Sequence, residues 1–443
     1  MCWSVGIKMN VLVIGSGARE HALAWKISQS PLCSRLYVAP GNAGTELDAE
    51  NVSIDVDDFS EIARFASQNK VELVVVGPEQ PLCEGIVDVL SEQGIRAFGP
   101  TRAAAQLEKS KVFCKRALRA ADVPTGDFHV FQRASDAENF VQQRFPADQD
   151  PQEIPLVVKA DGLAAGKGAI VCSTRSEVFE AIERVARKRE FGKAGDQFII
   201  EERLSGEEAS VMAITDGRTV LTLPAVQDHK RALDGDLGPN TGGMGTYCPA
   251  PIITPEIQAW IEERVLVPTI HYMNRTRARF RGVLFAGLML TSTQPKVLEY
   301  NVRFGDPECQ TILMRLKSDL LEIMLATVDE RLHEISVPEW DERPAVCVVM
   351  ASEGYPDKYR VGHEIRGLDE ASKIENTKVF HAGTRRDGDK VVTSGGRVLA
   401  VTALGNSIAA AKLQAYKAVK CIRWEGAWCR KDIADKALAI QLK

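Results

Sequence analysis

Short, continuously apolar runs alternate with helix-length segments over the first hundred residues, and no other feature constrains the fold of this chain as strongly. The runs are VLVIG (11–15), RLYVA (35–39), VELVVVG (71–77) and IRAFG (95–99), and the helical stretches fall over 20–28, near 59–69 and near 84–93. Strands that are apolar on both faces belong to a parallel sheet covered by helices on each side; a sheet with one wet face would alternate apolar and polar residues. The runs end in the loops GSGAREH, APGNAGT, VGPEQPL and FGPT, all rich in Gly, Pro or Asn. Ligands of such sheets gather where the strands end, against helix N-termini whose unbonded N–H groups attract anions.

The first loop departs from the dinucleotide pattern G-x-G-x-x-G. Glu20 stands where the third glycine belongs, and the second strand ends at Ala39-Pro40-Gly41 without the acid that would hold a ribose. Gly15 and Gly17 still let backbone approach one phosphate, and Arg19 adds a charge-assisted contact, so a phosphorylated sugar is the preferred ligand. A tight turn with a solvated arginine is the alternative.

The 443 residues suggest about three domains. A net charge of -5, from 55 basic and 60 acidic residues spread along the chain, gives no reason to expect nucleic acid or an anionic membrane as partner. The ten cysteines form no C-x-x-C pair, so neither a zinc site nor a disulfide framework is indicated and a reducing compartment fits. The most apolar run, VLFAGLML (283–290), falls far short of the roughly 20 residues of a membrane span. A cytoplasmic protein is expected, with residues 1–8 as an extension before the first strand.

After residue 100 a helix over 111–124 precedes a strand near 128–131, a helix near 135–144 and then PLVVKADGLAAGKGAIVCST. This stretch resembles a P-loop but fails as one: Gly162 and Gly166 are too close, Gly168 replaces the hydroxyl residue, and strands stand on both sides. A strand, glycine loop and strand can fold over a triphosphate as a lid, with Lys167 in the loop and Lys159 on the strand facing the charge; an ordinary glycine-rich hairpin is the alternative. Glu201 and Glu202, at the end of FIIEE, are either a solvated edge or acceptors for an adenine amino group, with Glu208 bonding ribose hydroxyls. QDHKR and NTGGMG place Asp228, His229, Lys230 and Arg231 beside a run that reads as an irregular binding loop, and His229 reads as structural. In KVLEYNVRFGDPE, strand alternation puts Glu299, Asn301 and Arg303 on one face. A carboxylate and an amide oxygen two residues apart are hard donors suited to magnesium, and Arg303 can grip a carboxylate; a solvated strand face is the bland alternative. From about 335, strands near 345–352, 378–384 and 396–405 and a helix over 407–421 read as a small α+β unit closing one wall of the site.

Taken together, GSGAREHALAWK, APGNAGT, VGPEQPL, FGPT, KADGLAAGKG, IEERLSGEEAS, QDHKR, GPNTGGMG, EYNVRFGDPE, FHAGT and CRKDI resemble the phosphoribosylamine-glycine ligase family of ATP-grasp enzymes, over residues 9 to about 435. The resemblance implies an α/β and α+β multidomain fold: a Rossmann-like pre-ATP-grasp domain (9–110), an ATP-grasp domain (111–333) with a lid at about 130–204, and a small C-terminal domain (334–443).

Carried over by position, the resemblance implies that Lys111, Lys159, Gly162, Gly166, Lys167, Gly168, Glu201, Glu202, Leu204 and Glu208 hold ATP. It places Gly15, Gly17, Arg19, Glu20, Asn42, Gly44, Pro78, Glu79, Asn240, Gly242 and Gly243 around 5-phosphoribosylamine. Asp228, Lys230 and Arg303 become the catalytic candidates, with Arg303 on the glycine carboxylate, and Glu299 and Asn301 the ligands of Mg2+ or Mn2+. Many ATP-grasp enzymes carry another metal carboxylate on the preceding strand; VLFAGLML has none, which leaves the number of ions open. The implied reaction joins glycine to the sugar amine through glycyl phosphate, in a monomer acting on small molecules. The alternative is another carboxylate-amine ligase of this superfamily with a different phosphorylated amine.

Overall fold

The computed structural model describes residues 8–146, 154–163 and 168–441. Gly166 and Lys167 of the expected lid loop lie outside the described residues.

Strands β1 (Met9–Gly15), β2 (Cys33–Pro40), β3 (Glu50–Asn51), β4 (Val71–Val76) and β5 (Ala97–Phe98) form a parallel sheet in the order β3-β2-β1-β4-β5. Alternate residues of β1 feed two different cores: Leu12 and Ile14 pack with Ile62, Val74 and Leu82, whereas Val11 and Val13 pack with Leu23, Leu73 and Leu321. Both faces of the strand are dry, which is why its sequence is an unbroken apolar run. The first helix starts at Ala18, two residues before the expected Glu20, because the Glu20 carboxylate turns back to accept from Gly17 N at 2.7 Å. The helix expected over 84–93 is two helices, Glu79–Glu84 and Ile86–Glu92, interrupted at Gly85. The helix expected to reach 124 ends at Ala120.

Strands β6 (Phe128–Phe131), β7 (Leu156–Ala160), β8 (Ala169–Cys172) and β9 (Phe198–Glu202) make an antiparallel sheet in the order β6-β9-β7-β8. Helices Ala134–Arg144 and Arg175–Ile182 cover it, and the group has its own core, with Val158, Phe198 and Ile200 against Val141, Val178 and Ile182.

Beyond it lie β10 (Glu207–Thr215) and β11 (Val220–Thr222), then β12 (Gln227–Asp228), β13 (Arg231–Leu233), β14 (Leu237–Asn240) and β15 (Gly245–Cys248), then β16 (Gly282–Leu290) and β17 (Pro295–Asn301). The order β11-β10-β16-β17 makes a second antiparallel sheet, with Gly287 opposite Glu299. The stretch read as an irregular loop is partly regular, since β13 pairs with β14 and β12 with β15. β17 stops at Asn301, so Arg303 lies just past the strand rather than on it.

The last strands are β18 (Ala345–Ser352), β19 (Thr377–His381), β20 (Thr384–Asp387), β21 (Lys390–Thr393), β22 (Arg397–Leu404) and β23 (Ala427–Trp428). The C-terminal sheet runs β12-β15-β18-β22-β19, with β23 also on β18, so two strands that precede residue 334 complete it. The helix Ile408–Cys421, N-capped by Ser407, packs on β18 and β22. Every described cysteine is a free thiol, and no described helix is long and apolar enough to cross a membrane.

Candidate active site

The strand ends of the parallel sheet, the lid sheet and the β10-β16-β17 sheet converge on one charged region. Glu299, on β17, receives Lys111 Nζ at 2.6 Å from the first residue of the helix Lys111–Ala120. Lys111, aided by Lys159 and Lys230 and against the cost of burial, holds the Glu299 carboxyl far below its ordinary range. Asn301 Oδ1 accepts from Arg303 Nη2 at 3.3 Å, so the expected neighbours meet although Arg303 has left the strand. The oxygens of Glu299 and Asn301 fit a magnesium ion, which is normally held by one or two protein donors with waters and substrate phosphates completing the shell. No cluster of three or more His, Cys, Asp or Glu arranged for a metal occurs among the described residues, so these donors form no all-protein cage.

Arg303 is half-buried and gripped by carboxylates, with Nη2 2.9 Å from Glu108 Oε1 and Nε 3.2 Å from Glu79 Oε2. Burial works against the Glu79 charge, yet Arg303 and Arg19 outweigh it and bring the carboxyl down to about 2. Pro78 is the N-cap of the helix that begins at Glu79. Arg19 points inward, with Nε 2.7 Å from Glu20 Oε1 and Nη1 3.1 Å from the Phe304 carbonyl, and braces the first loop against the 304–306 turn. Gly15 has φ +125°, and a Cβ there would lie 2.5 Å from Glu20 Cγ; a side chain would displace the carboxylate that caps the loop. Asn42 ties three segments, donating to the Ser16 and His381 carbonyls at 2.8 Å and accepting from Gly44 N at 2.8 Å.

On the opposite wall, Lys230 Nζ lies 2.8 Å from Glu208 Oε2. Burial disfavours the Lys230 charge, but Glu208, Glu299 and Asp228 prevail and raise its pKa. Asp228 Oδ1 accepts from His229 N at 2.7 Å, and burial together with the neighbouring Glu308 pushes its carboxyl well above the usual range. Gly243 has φ +110°, and a Cβ there would lie 2.8 Å from Asp228 Oδ1 and 2.6 Å from Pro307 Cδ, so only glycine admits Asp228. Gly242 N donates to the Tyr355 hydroxyl at 3.1 Å, and Asn240 closes β14. His229 is buried, its ring contacting the Gly245 carbonyl at 3.1 Å and accepting from Ala434 N at 3.3 Å.

In the lid, Lys159 and Lys115 both bind Glu201, the latter at 2.7 Å, and all three side chains are buried. Glu202 is exposed and 3.4 Å from Lys296 Nζ. Leu204 follows β9 on the stretch that leads into β10, and Gly162 and Gly168 flank the lid loop.

The sequence reading missed Glu108, Lys115, Asp306, Glu308 and Arg397. Lys115 and Leu118 follow Lys111 at helical spacing and are both buried, so a lysine in an apolar stripe was the available signal. Asp306 and Glu308 stood inside a quoted motif. Arg397, on β22, bonds the Gly242 and Asp306 carbonyls at 2.7 Å and Asp306 Oδ2 at 3.1 Å, and nothing in its local sequence indicates this.

A parallel anion-loop domain, a lidding sheet and an adjoining antiparallel sheet with lysines and carboxylates between them define an ATP-grasp protein. Residues 9–108, 109–309 and 345–436 match the N, ATP-grasp (A) and C domains of phosphoribosylglycinamide synthetase. The chain belongs to the phosphoribosylglycinamide synthetase family. It is 62% identical over 431 residues to a phosphoribosylamine–glycine ligase of Rhodopirellula baltica, covering 97% of this chain and 98% of the relative. A ligase of the same description from Brucella melitensis is 49% identical over 430 residues, covering 97% and 98%. The crystal structure of the Thermotoga maritima phosphoribosylamine–glycine ligase superposes with a TM-score of 0.80 at 32% identity, covering 96% of this chain and 100% of that one.

Proposed function

We infer that the chain catalyses ATP-dependent ligation of glycine to 5-phosphoribosylamine, yielding glycinamide ribonucleotide, ADP and phosphate in de novo purine biosynthesis. Full-length similarity supports this reading, and the observation that carries it is the convergence of Lys111, Lys159, Lys230 and Arg303 on the Glu299–Asn301 strand end. A glycine carboxylate oxygen attacks the γ-phosphorus of ATP, the bond to the β-phosphate oxygen breaks, and glycyl phosphate and ADP result. The sugar amine then attacks the acyl carbon, phosphate leaves, and the amine gives up a proton.

Phosphoryl transfer needs positioning and charge neutralisation more than a covalent nucleophile. Lys159, Lys111 and Lys230 would line the phosphates, the 162–168 loop would help to hold ATP, and the 201–204 segment and Glu208 would meet adenine and ribose. Glu299 and Asn301 would hold Mg2+ or Mn2+, which neutralises phosphate charge when bound. Arg303 would receive the glycine carboxylate. Asp228, whose carboxyl is pushed up by burial and by Glu308, would collect the amine proton. The loops at Gly15–Gly17, Asn42–Gly44 and Gly242–Gly243 would enclose the sugar phosphate, with Arg19, Glu20 and Glu79 holding their shape. We place the divisions near residues 110 and 333, and the protein acts as a cytoplasmic monomer. The decisive experiment is phosphate release with ATP, glycine and freshly prepared phosphoribosylamine; release that persists when another phosphorylated amine replaces the sugar amine at equal rate would point to a different ligase.

A further inference from the structure

Where the lid sheet meets the helix Lys111–Ala120, three buried charges have a sum that is not zero. Lys159, on β7, and Lys115, on the helix Lys111–Ala120, bind opposite oxygens of Glu201, on β9: Lys159 holds Oε1, and Lys115 lies 2.7 Å from Oε2. Their side chains are 9%, 3% and 4% exposed, so water screens none of them effectively. Lys115 is anchored independently, donating to Thr125 Oγ1 at 2.6 Å, and Thr125 Oγ1 in turn donates to the Val297 carbonyl at 2.6 Å. Among the described residues, Lys159 has a 3.5 Å contact to the Leu298 carbonyl besides Glu201. One lysine is therefore fixed to the framework and the other is held chiefly by the carboxylate.

Removing one partner from a buried ion pair is costly because the remaining charge stays in a poor solvent. A Lys159 that turns toward a phosphate would leave Glu201 in that condition if it were the only cation there. We propose that Lys115 is a positioning residue for ATP: it stays on Glu201 when Lys159 leaves for a phosphate, so the carboxylate is never buried alone. This rests on the assignment of Lys159 to ATP and adds a residue that touches no substrate.

The experiment measures ATP affinity by titration calorimetry, and KM and kcat by initial rates, for K115M, K115Q, E201Q, K115M/E201Q and K159M. K115M and K115Q are expected to weaken ATP by about 10- to 100-fold, leaving the glycine KM unchanged and kcat at saturating ATP within a few-fold. E201Q, which keeps a side-chain oxygen but removes the charge, is the reference for the pair, and K115M/E201Q is expected to bind ATP within a few-fold of E201Q itself. Unaltered ATP affinity in both Lys115 variants, or a loss from E201Q to K115M/E201Q as large as that from the parent to K115M, overturns the proposal. A K159M protein that binds ATP normally removes instead the assignment on which it rests.

Discussion

Glu299 shows how one side chain can be held ionised inside a protein. Lys111 stands 2.6 Å away, and Lys159 and Lys230 add to its field, which holds the carboxyl far below its ordinary range. E299Q retains the shape and removes the charge; turnover is expected to fall by at least about a hundredfold, roughly 3 kcal/mol, with the apparent metal requirement raised. Initial rates across a magnesium series check this, with circular dichroism and the melting temperature as fold controls, and near-native turnover would remove the metal assignment. Gly243 is a second single-residue test. G243A pushes a methyl group toward Asp228 Oδ1 and Pro307 while demanding φ +110°. The KM for phosphoribosylamine should rise about tenfold or more with the KM for ATP little changed; equal effects on both would deny this loop a role specific to the sugar.

Among the elements, the lid is the group with a core of its own, set apart from the two large clusters. Its helix Arg175–Ile182 begins with a capping box in which Thr174 Oγ1 accepts from Glu177 N at 3.2 Å and Glu177 reaches back to Thr174 N. T174A is expected to cost about 1 kcal/mol. The loss should appear as faster amide hydrogen exchange through β8 and the helix Arg175–Ile182, with protection of β1 and β4 unchanged. Uniform acceleration across the protein would mean that the lid opens only when everything does.

At the scale of the whole molecule, strands from the middle of the chain complete the C-terminal sheet. β15 lies between β12 and β18, and β12 and β15 lie before residue 334. A chain cut at residue 333 is expected to lack a cooperative melt, because Met244, Tyr247 and Cys248 would lose the strand that buries them; a sharp calorimetric transition would contradict this. Histidines at the same seams set a pH dependence. His21 Nδ1 accepts from His381 N at 2.8 Å, and Nε2 lies 3.2 Å from Asp48, so helix, loop and C-terminal sheet meet on a neutral imidazole. Burial above all lowers the pKa of His21, of His229 to about 4 and of His381 to about 3. The unfolded chain takes up these protons near its ordinary value of about 6.5 while the folded one does not, so stability should fall as pH drops from about 6.5 toward 4 and below. Thermal melts at stepped pH measure it, and H229Q should flatten part of the slope; a melting temperature constant from pH 7 to 4 would refute the linkage.

The sequence by itself determined the elements whose chemistry is local. Unbroken apolar runs such as VLVIG marked buried parallel strands, Gly-, Pro- and Asn-rich runs marked the loops at their ends, and EYN put a carboxylate and an amide two residues apart, because each pattern lies within one strand or turn. Boundaries shifted where a side chain acted at a distance of a few residues, as when Glu20 capped its own helix from Ala18. Only the tertiary structure decided what brings remote positions together: Arg397 bonded to Asp306 across 91 residues, Arg303 to Glu79 across 224, and Lys115 and Lys159 from different elements on the carboxylate of Glu201. A charge's partner depends on where burial leaves it, and burial is a property of the packed chain, not of the neighbouring letters.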